Sequence, residues 1–163
     1  MSSPLVEVRT STIAAYLAQR GQVDPAERSS FLDPKLSALS PPHGMRDRTL
    51  AAERIAHAIN SGQKLVVFGD YDCDGMTATA IVTEVVRALG GEVQPLLASR
   101  FQGGYGVSEM ALERIIAERP SLVVTCDCGS SDHKTLAALR ALGIDVIVID
   151  HHLVPVEPLP VLA

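Results

Sequence analysis

The pattern of apolar and polar positions changes near residue 60. Before it, short helical repeats of apolar residues alternate with breaks marked by proline. After it, short continuous apolar runs alternate with amphipathic helical stretches; the runs are residues 65–68, 93–98, 122–126 and 145–149. Such runs between helices are typical of βαβ units. The sequence therefore predicts an α/β fold: a parallel sheet of about four to five strands with helices on both faces, preceded by a short helical N-terminal region.

The same change of pattern predicts the domain organisation. We expect residues 1–60 to form the helical region and residues 61–163 to form the domain that contains the sheet. In the first region a helix is expected to begin at Ser11 or Thr12, and a later one after Asp47. The predicted inner face of the later helix consists of Leu50, Ile55, Ala58 and Ile59.

Each predicted strand ends in a polar or glycine-rich segment. Because the carboxyl ends of parallel strands meet at one edge of a sheet, and ligands of open α/β sheets bind there, these segments are expected to form one site. In strand order, they are Gly69-Asp-Tyr-Asp-Cys-Asp-Gly75, Arg100-Phe-Gln-Gly-Gly-Tyr-Gly106, Asp127-Cys-Gly129 and Asp150-His-His152.

Charge indicates what this edge binds. The chain has 14 Lys+Arg and 19 Asp+Glu, for a net charge of −5, and the acidic excess lies after residue 60. Carboxylates crowded at one edge repel each other unless cations neutralise them, and imidazole ligands shift the preferred ion from calcium towards manganese. If residues 70–74 are extended, three of the carboxylates point the same way. The aspartates of these segments are enough for two ions. They are Asp70, Asp72, Asp74, Asp127 and Asp150.

Composition excludes several other classes. The net charge of −5 does not fit a cationic nucleic-acid arm, and no apolar run is long enough to cross a membrane. The first residues do not resemble a secretory signal, and an odd number of cysteines is poor material for disulfides. We therefore expect a soluble cytoplasmic protein without a membrane partner. A zinc site would require Cys126, Cys128 and Cys73, and small buried residues are the favoured reading of the first two.

The motifs resemble those of the DHH phosphoesterase superfamily. The form Gly69-Asp-Tyr-Asp-x-Asp-Gly75, the loop that follows Arg100 and the upstream Phe31-Leu-Asp-Pro34 are similar to the RecJ-type branch, which contains single-strand-specific 5′→3′ DNA exonucleases. The resemblance implies a metal-dependent phosphodiester hydrolase that acts on single-stranded DNA in repair and recombination. It also implies Mn²⁺ or Mg²⁺ as the cofactor, with two ions in the complete enzyme.

The resemblance implies a role for each polar residue at the strand ends. His152 would contact the substrate phosphate or transfer a proton. Asp127 would be the carboxylate that bridges the metal ions. Asp70 and Asp150 would orient the ligands or join them. The implied metal ligands are Asp72, Asp74, Asp127 and His151.

Two residues are implied to bind the DNA itself. Arg100 resembles the arginine with which the family grips a phosphate near the 5′ end, since a guanidinium binds phosphate in a bidentate manner. Tyr105 would lie beside it and stack on a base.

The chain also departs from the resemblance. RecJ-type proteins continue with a further aspartate motif and a second domain, whereas this sequence ends eleven residues after Asp150-His-His152. We therefore expect a fragment whose partner is the missing C-terminal domain, and which is inactive or weakly active alone. Alternatives are a DHH-type phosphodiesterase for short oligoribonucleotides, cyclic dinucleotides or pyrophosphate, a non-catalytic scaffold, and a haloacid-dehalogenase-type phosphatase using Asp72.

Overall fold

The computed structural model describes residues 4–21, 24–153 and 156–163, with side chains from residue 12 onward. The chain divides into two compact units between Gly44 and Met45. The sequence places this division after residue 60 instead. The difference is the helix Arg48–Asn60. It groups with the sheet because Ala58 is fully buried in the core of the sheet domain.

The N-terminal unit is helical, as expected. Asp24 caps the N-terminus of helix α2 (Pro25–Leu32). Its carboxylate accepts hydrogen bonds from the backbone N–H groups of Ala26 and Glu27 at 2.7 and 3.1 Å. The prediction that the first helix begins at Ser11 or Thr12 is wrong, because proline is well suited to the first helical position and the helix starts at Pro4. The helices are α1 (Pro4–Gln19), α2 (Pro25–Leu32) and two single-turn 3₁₀ helices (Leu36–Ala38 and Pro42–Gly44).

The second unit is an α/β domain, and the predicted fold class is confirmed. Its four strands are all parallel and lie in the order β2-β1-β3-β4. The elements are α3 (Arg48–Asn60), β1 (Leu65–Gly69), α4 (Cys73–Ala88), β2 (Val93–Leu97), α5 (Glu109–Ala117), β3 (Leu122–Cys126), α6 (His133–Ala141) and β4 (Asp145–Ile149).

Helices cover both faces of the sheet because the strand side chains alternate. Leu65 and Val67 pack with α3 and α4, whereas Val66 and Phe68 pack with α5 and α6. The expected inner face of α3 is correct for Ile55, Ala58 and Ile59, which pack in the core or against it. It is wrong for Leu50, which lies in the first turn of α3 and is 44% exposed.

The carboxyl ends of the strands lie level with one another. Gly69 is in register with Leu97 of β2 and with Cys126 of β3, and Cys126 is in register with Ile149 of β4. The pairing continues one residue further, since Asp127 N–H donates to the Ile149 carbonyl at 2.8 Å. The segments that follow the strands therefore begin at the same edge of the sheet.

The two outer strands have different edges. β2 contains Pro95 at its centre, and Ala98 N–H donates to β1 through the Gly69 carbonyl at 2.8 Å. On the other side, the last residues of the chain hydrogen-bond to β4: Leu162 N–H donates to Val146 at 2.8 Å. None of the helices in the described residues is long and apolar enough to span a bilayer.

Candidate active site

A carboxylate and two imidazoles meet where β3 and β4 end. One ligand atom from each of Asp127, His151 and His152 lies within 4.8 Å of the others. The Asp127 Oδ1 atom is 3.1 Å from Nε2 of His151 and 3.9 Å from Nδ1 of His152. Oxygen and imidazole nitrogen atoms at this spacing are a donor set for a divalent cation such as Mn²⁺.

Asp127 is held in an unusual backbone conformation and is buried. Its φ of 60° is left-handed, which is uncommon for a residue other than glycine, and its side chain is only 7% exposed. Burial and then the charge of Asp72 raise the pKa of Asp127. Within the described residues its buried Oδ1 atom accepts no hydrogen bond of good geometry. Such an oxygen fits a metal ion, because a bound cation would satisfy it and offset the repulsion from Asp72.

Asp150 holds the two histidines in place. Its Oδ1 atom accepts hydrogen bonds from the backbone N–H groups of His151 and His152 at 2.7 and 3.1 Å, and its Oδ2 atom accepts one from Ser130 N–H at 3.1 Å. Burial is the largest single influence and opposes ionisation, but the hydrogen bonds from Ser130 and His152 outweigh it and lower the pKa of Asp150 to about 2. The carboxylate is therefore charged at neutral pH.

His152 is oriented through one ring nitrogen. Its Nδ1 atom lies 2.7 Å from Asp150 Oδ1, and this hydrogen bond raises the pKa of His152. Nε2 is then the ring atom left to contact a ligand. The hydroxyl of Tyr105 lies 3.1 Å from the same Nδ1 atom and donates to the backbone carbonyl of Asp127 at 3.2 Å. Tyr105, expected to stack on a base, thus contacts the histidine and the aspartate of the site.

The segment after β1 is arranged differently from the prediction. β1 ends at Gly69 and α4 begins at Cys73, so the segment is not extended throughout. Asp70 is 2% exposed, and its buried Oδ1 atom has no hydrogen-bond partner within the described residues. Asp72 is exposed and Asp74 lies in the first turn of α4. The expectation that alternation aligns the three carboxylates is therefore wrong.

Asp72 has a structural role besides any role as a ligand. Its Oδ1 atom accepts a hydrogen bond from Gly75 N–H at 3.0 Å and so caps α4. This hydrogen bond, more than any other influence, lowers the pKa of Asp72. Within the described residues, the ligand group of Asp127 and the two histidines includes neither Asp72 nor Asp74. Asp72 still acts on Asp127 electrostatically.

Two glycines allow α4 to approach the end of β1. A Cβ atom on Gly75 would lie 2.5 Å from the backbone N and O atoms of Asp70. A Cβ atom on Gly69 would lie 2.0 Å from Thr79 Oγ1 and 2.6 Å from the Gly75 carbonyl oxygen. The motif therefore needs glycine at both ends, because the first turn of the helix packs directly on the strand.

Arg100 lies on the loop after β2 and stacks on Tyr71. Its guanidinium carbon is 4.7 Å from the centre of the Tyr71 ring, which suits a cation–π interaction. Tyr71 belongs to the segment after β1. Arg100 is therefore held against that segment while it remains exposed.

The cysteines do not form a thiolate site. Cys126 and Cys128 are buried, and burial raises the pKa of Cys126 to about 12 and that of Cys128 further. Cys73 is exposed. Within the described residues no cysteine belongs to a group with metal-ligand spacing. The reading of Cys126 and Cys128 as small buried residues fits this arrangement better than the zinc alternative.

One polar residue near the site was not anticipated. Asp132 accepts a hydrogen bond from Val107 N–H at 2.7 Å and so joins the start of α6 to the loop that carries Tyr105. In the sequence Asp132 indicates only a helix start, and nothing in the pattern reports that its side chain turns towards another loop.

The sequence of the chain is similar to a known family and to several known proteins. Residues 64–161 match the DHH family, N-terminal domain. The single-stranded-DNA-specific exonuclease RecJ of Bacillus subtilis is 36% identical over 144 residues, which is 88% of this chain and 18% of that protein. RecJ of Thermus thermophilus is 42% identical over 127 residues, which is 77% of this chain and 18% of that protein. The chain therefore spans about a fifth of the length of these relatives.

The structure of the chain is also similar to solved structures of RecJ proteins. A crystal structure of exonuclease RecJ bound to manganese superposes with a TM-score of 0.70 at 35% identity, over 76% of this chain and 32% of that one. RecJ from Thermus thermophilus in complex with Mn²⁺ gives a TM-score of 0.63 at 31% identity, over 98% of this chain and 23% of that one. Residues 64–161, which match the family, include the segments after all four strands. The chain therefore belongs to the DHH family.

Proposed function

We propose that this chain provides the metal-binding part of a single-stranded-DNA-specific 5′→3′ exonuclease of the RecJ type. The observation that carries the proposal is the cluster of Asp127, His151 and His152, in which the buried Oδ1 atom of Asp127 has no hydrogen bond within the described residues. Two RecJ relatives named as single-stranded-DNA-specific exonucleases share 36 and 42% identity with the chain. Mn²⁺ or Mg²⁺ is the proposed cofactor, since oxygen and imidazole ligands suit these ions.

The residues of the chain would divide the work as follows. When bound, a divalent cation supplies Lewis-acid activation of the phosphodiester and of water. Asp127 and His151 would hold it, and Asp72 and Asp74 would supply the carboxylates of a second position. Asp70, whose Oδ1 atom is also buried and has no hydrogen-bond partner among the residues that the structure describes, would orient or join these ligands.

His152 and Arg100 would act on the DNA. With Nδ1 fixed by Asp150, Nε2 of His152 can contact a phosphate oxygen or transfer a proton. Arg100, held on the ring of Tyr71, would grip a phosphate near the 5′ end. We also propose a cytoplasmic location, supported by the unpaired state of all three cysteines. A role in DNA repair and recombination is proposed from the similarity to single-stranded-DNA-specific exonucleases. A strain with Asp127→Asn in this gene should be more sensitive to DNA damage than its parent.

Metal binding is the first test. Electron paramagnetic resonance of free Mn²⁺ would measure its affinity for the 163-residue chain and for Asp127→Ala. The proposal requires binding by the parent that the substitution abolishes; absence of binding by the parent would favour the non-catalytic scaffold.

Substrate choice is the second test. Single-stranded DNA with a 5′-phosphate, short oligoribonucleotides and cyclic dinucleotides would each be incubated with the chain and Mn²⁺. We expect slow hydrolysis at most, and of the DNA in preference to the others. Preferential cleavage of a ribonucleotide substrate would replace the exonuclease with the alternative phosphodiesterase.

A further inference from the structure

The loop of residues 99–107, which we name the tyrosine loop, is fixed on both sides of Tyr105. On one side, Gly104 N–H donates to the Ser99 carbonyl at 3.0 Å. On the other side, Val107 N–H donates to Asp132 Oδ2 at 2.7 Å. Tyr105 lies between these two attachments, so they restrict where its side chain can reach.

The second attachment is made by Asp132, whose side chain does not make the hydrogen bond that is usual at its position. Asp132 occupies the N-cap position of α6, where an aspartate normally accepts a hydrogen bond from the first turn of the helix, but it makes no such bond. It turns to Val107 instead, although burial raises the pKa of its carboxyl group and so disfavours its charge. The hydrogen bond from Val107 N–H lowers the pKa of this carboxyl group and so favours its charge, and it ties the tyrosine loop to the start of α6.

The backbone of the loop fits closely around this carboxylate. Gly106 has a φ of +75°, and a Cβ atom there would lie 2.7 Å from Asp132 Oδ2. Only glycine adopts this conformation without strain and leaves room for the carboxylate.

The loop delivers the Tyr105 hydroxyl to two residues of the site. The hydroxyl donates to the Asp127 carbonyl at 3.2 Å and lies 3.1 Å from His152 Nδ1. The rings of Tyr105 and His152 meet edge to face, with centroids 5.6 Å apart.

We propose that Asp132 is a positioning residue, which holds Val107 so that Tyr105 braces His152 and the backbone of Asp127. The effect on metal binding rests on the proposed function, whereas the effect on the contact between Tyr105 and His152 does not. Asp132 lies at the start of α6 and, within the described residues, makes no hydrogen bond to Tyr105 or His152 itself.

The test uses four single variants of the 163-residue chain and the double variant that combines Asp132→Ser with Tyr105→Phe. Asp132→Ser keeps a good N-cap residue but is too short to reach Val107, and Asp132→Asn keeps an acceptor oxygen without the charge. Glu109→Gln is the control, because Glu109 at the start of α5 and Lys134 at the start of α6 form an exposed ion pair close in sequence to Val107 and Asp132. Tyr105→Phe removes the hydroxyl alone.

The first readout is the nuclear Overhauser effect between the ring protons of Tyr105 and His152 in the metal-free chain. We expect it to be lost in Asp132→Ser and retained in Asp132→Asn and Glu109→Gln. Retention in Asp132→Ser would overturn the proposal. If Asp132→Ser does not fold, hydrogen exchange of the Val107 amide in the parent decides, since an unprotected amide would overturn the proposal equally.

The second readout is the Mn²⁺ affinity. Groups that orient ligands typically change affinity by about tenfold or more, and we expect a loss of about tenfold in both Asp132→Ser and Tyr105→Phe. The double variant should lose no more than either single variant, since both act through one contact. Additive losses would overturn the proposal. If the parent does not bind Mn²⁺, the proposed function fails and the first readout alone decides on Asp132.

Discussion

The two halves of the candidate site are organised in different ways. In the β3–β4 half, Asp127, His151 and His152 converge, and Asp150 fixes both histidines through backbone and ring hydrogen bonds. In the β1 half, which consists of Asp70, Asp72 and Asp74, one carboxylate is buried, one caps a helix and one is exposed on its first turn.

This difference indicates how the site assembles. The β3–β4 half is preorganised by the protein alone, because its orienting carboxylate already has its hydrogen-bond donors. The β1 half has carboxylates that do not yet share a ligand geometry. We therefore expect the β3–β4 half to dominate the first metal-binding event and the β1 half to add to it. Five predictions test this ranking.

The largest effect is expected for Asp127→Asn. Loss of this ligand should reduce Mn²⁺ affinity by more than about 100-fold, beyond the range typical for residues that only orient ligands. Asparagine has the same shape and tolerates the left-handed backbone conformation. Isothermal titration calorimetry would measure the affinity.

The same variant has an internal control. Because the pKa of Asp127 is raised, its charge destabilises the metal-free fold at neutral pH, and the neutral amide should raise the melting temperature in EDTA. Unchanged Mn²⁺ affinity together with a raised melting temperature would mean that Asp127 is not a ligand.

The next effect is expected for Asp150→Ala. It leaves the backbone N–H groups of Ser130, His151 and His152 without their acceptor, so the free energy of unfolding should fall by about 1–3 kcal/mol. Mn²⁺ affinity should fall by roughly 10- to 100-fold because the histidines lose their orientation. Chemical denaturation and calorimetry measure the two losses, and Asp150→Asn should lose less of both. Equal Mn²⁺ affinity in Asp150→Ala and the parent would remove the basis for calling this half preorganised.

The third prediction concerns the packing of the β1 half. Gly75→Ala should lower the free energy of unfolding by about 1–3 kcal/mol, because the added methyl group meets the backbone of Asp70. Gly44→Ala is the matched control, since nothing lies within 4 Å of its added Cβ atom. Urea denaturation measures both. If the two variants are equally stable, the close approach of α4 to β1 is not required.

The fourth prediction sets the two halves against each other. Asp74→Asn should reduce Mn²⁺ affinity by less than about tenfold and leave the melting temperature unchanged, because the side chain is exposed. A loss as large as that of Asp127→Asn would show that both halves bind a single ion together.

The smallest effect is expected from pH. The pKa of His152 is raised by its hydrogen bond with Asp150, so its contribution to stability is complete below the ordinary histidine pKa of about 6.5. The contribution is lost as the pH rises through the raised pKa. Melting temperatures in metal-free buffer should therefore fall more steeply above a pH of about 6.5 for the parent than for His152→Ala. Parallel curves would contradict the pairing of His152 with Asp150.

The sequence predicts the sheet well because its two central strands, β1 and β3, are buried along their whole length and therefore appear as almost continuous apolar runs. It also predicts which segments form the site, since parallel strands bring their carboxyl ends together. It does not predict how Asp72 and Asp74 are used, because their spacing fits both an extended segment and a capped helix start. The contact between Asp132 and Val107 joins residues far apart in sequence, and local pattern carries no information about it.

Pro95 has a consequence for how the sheet meets other chains. Ala98 donates to β1, and because N–H directions alternate along a strand, the nitrogen of Pro95 lies on the side facing away from β1. An incoming strand at that edge would find no hydrogen-bond donor at its centre. At the other edge, Leu162 and Ala163 hydrogen-bond to Val146 and Val148 of β4. Both edges of the sheet in this chain therefore have a feature that should resist strand addition and edge-to-edge aggregation.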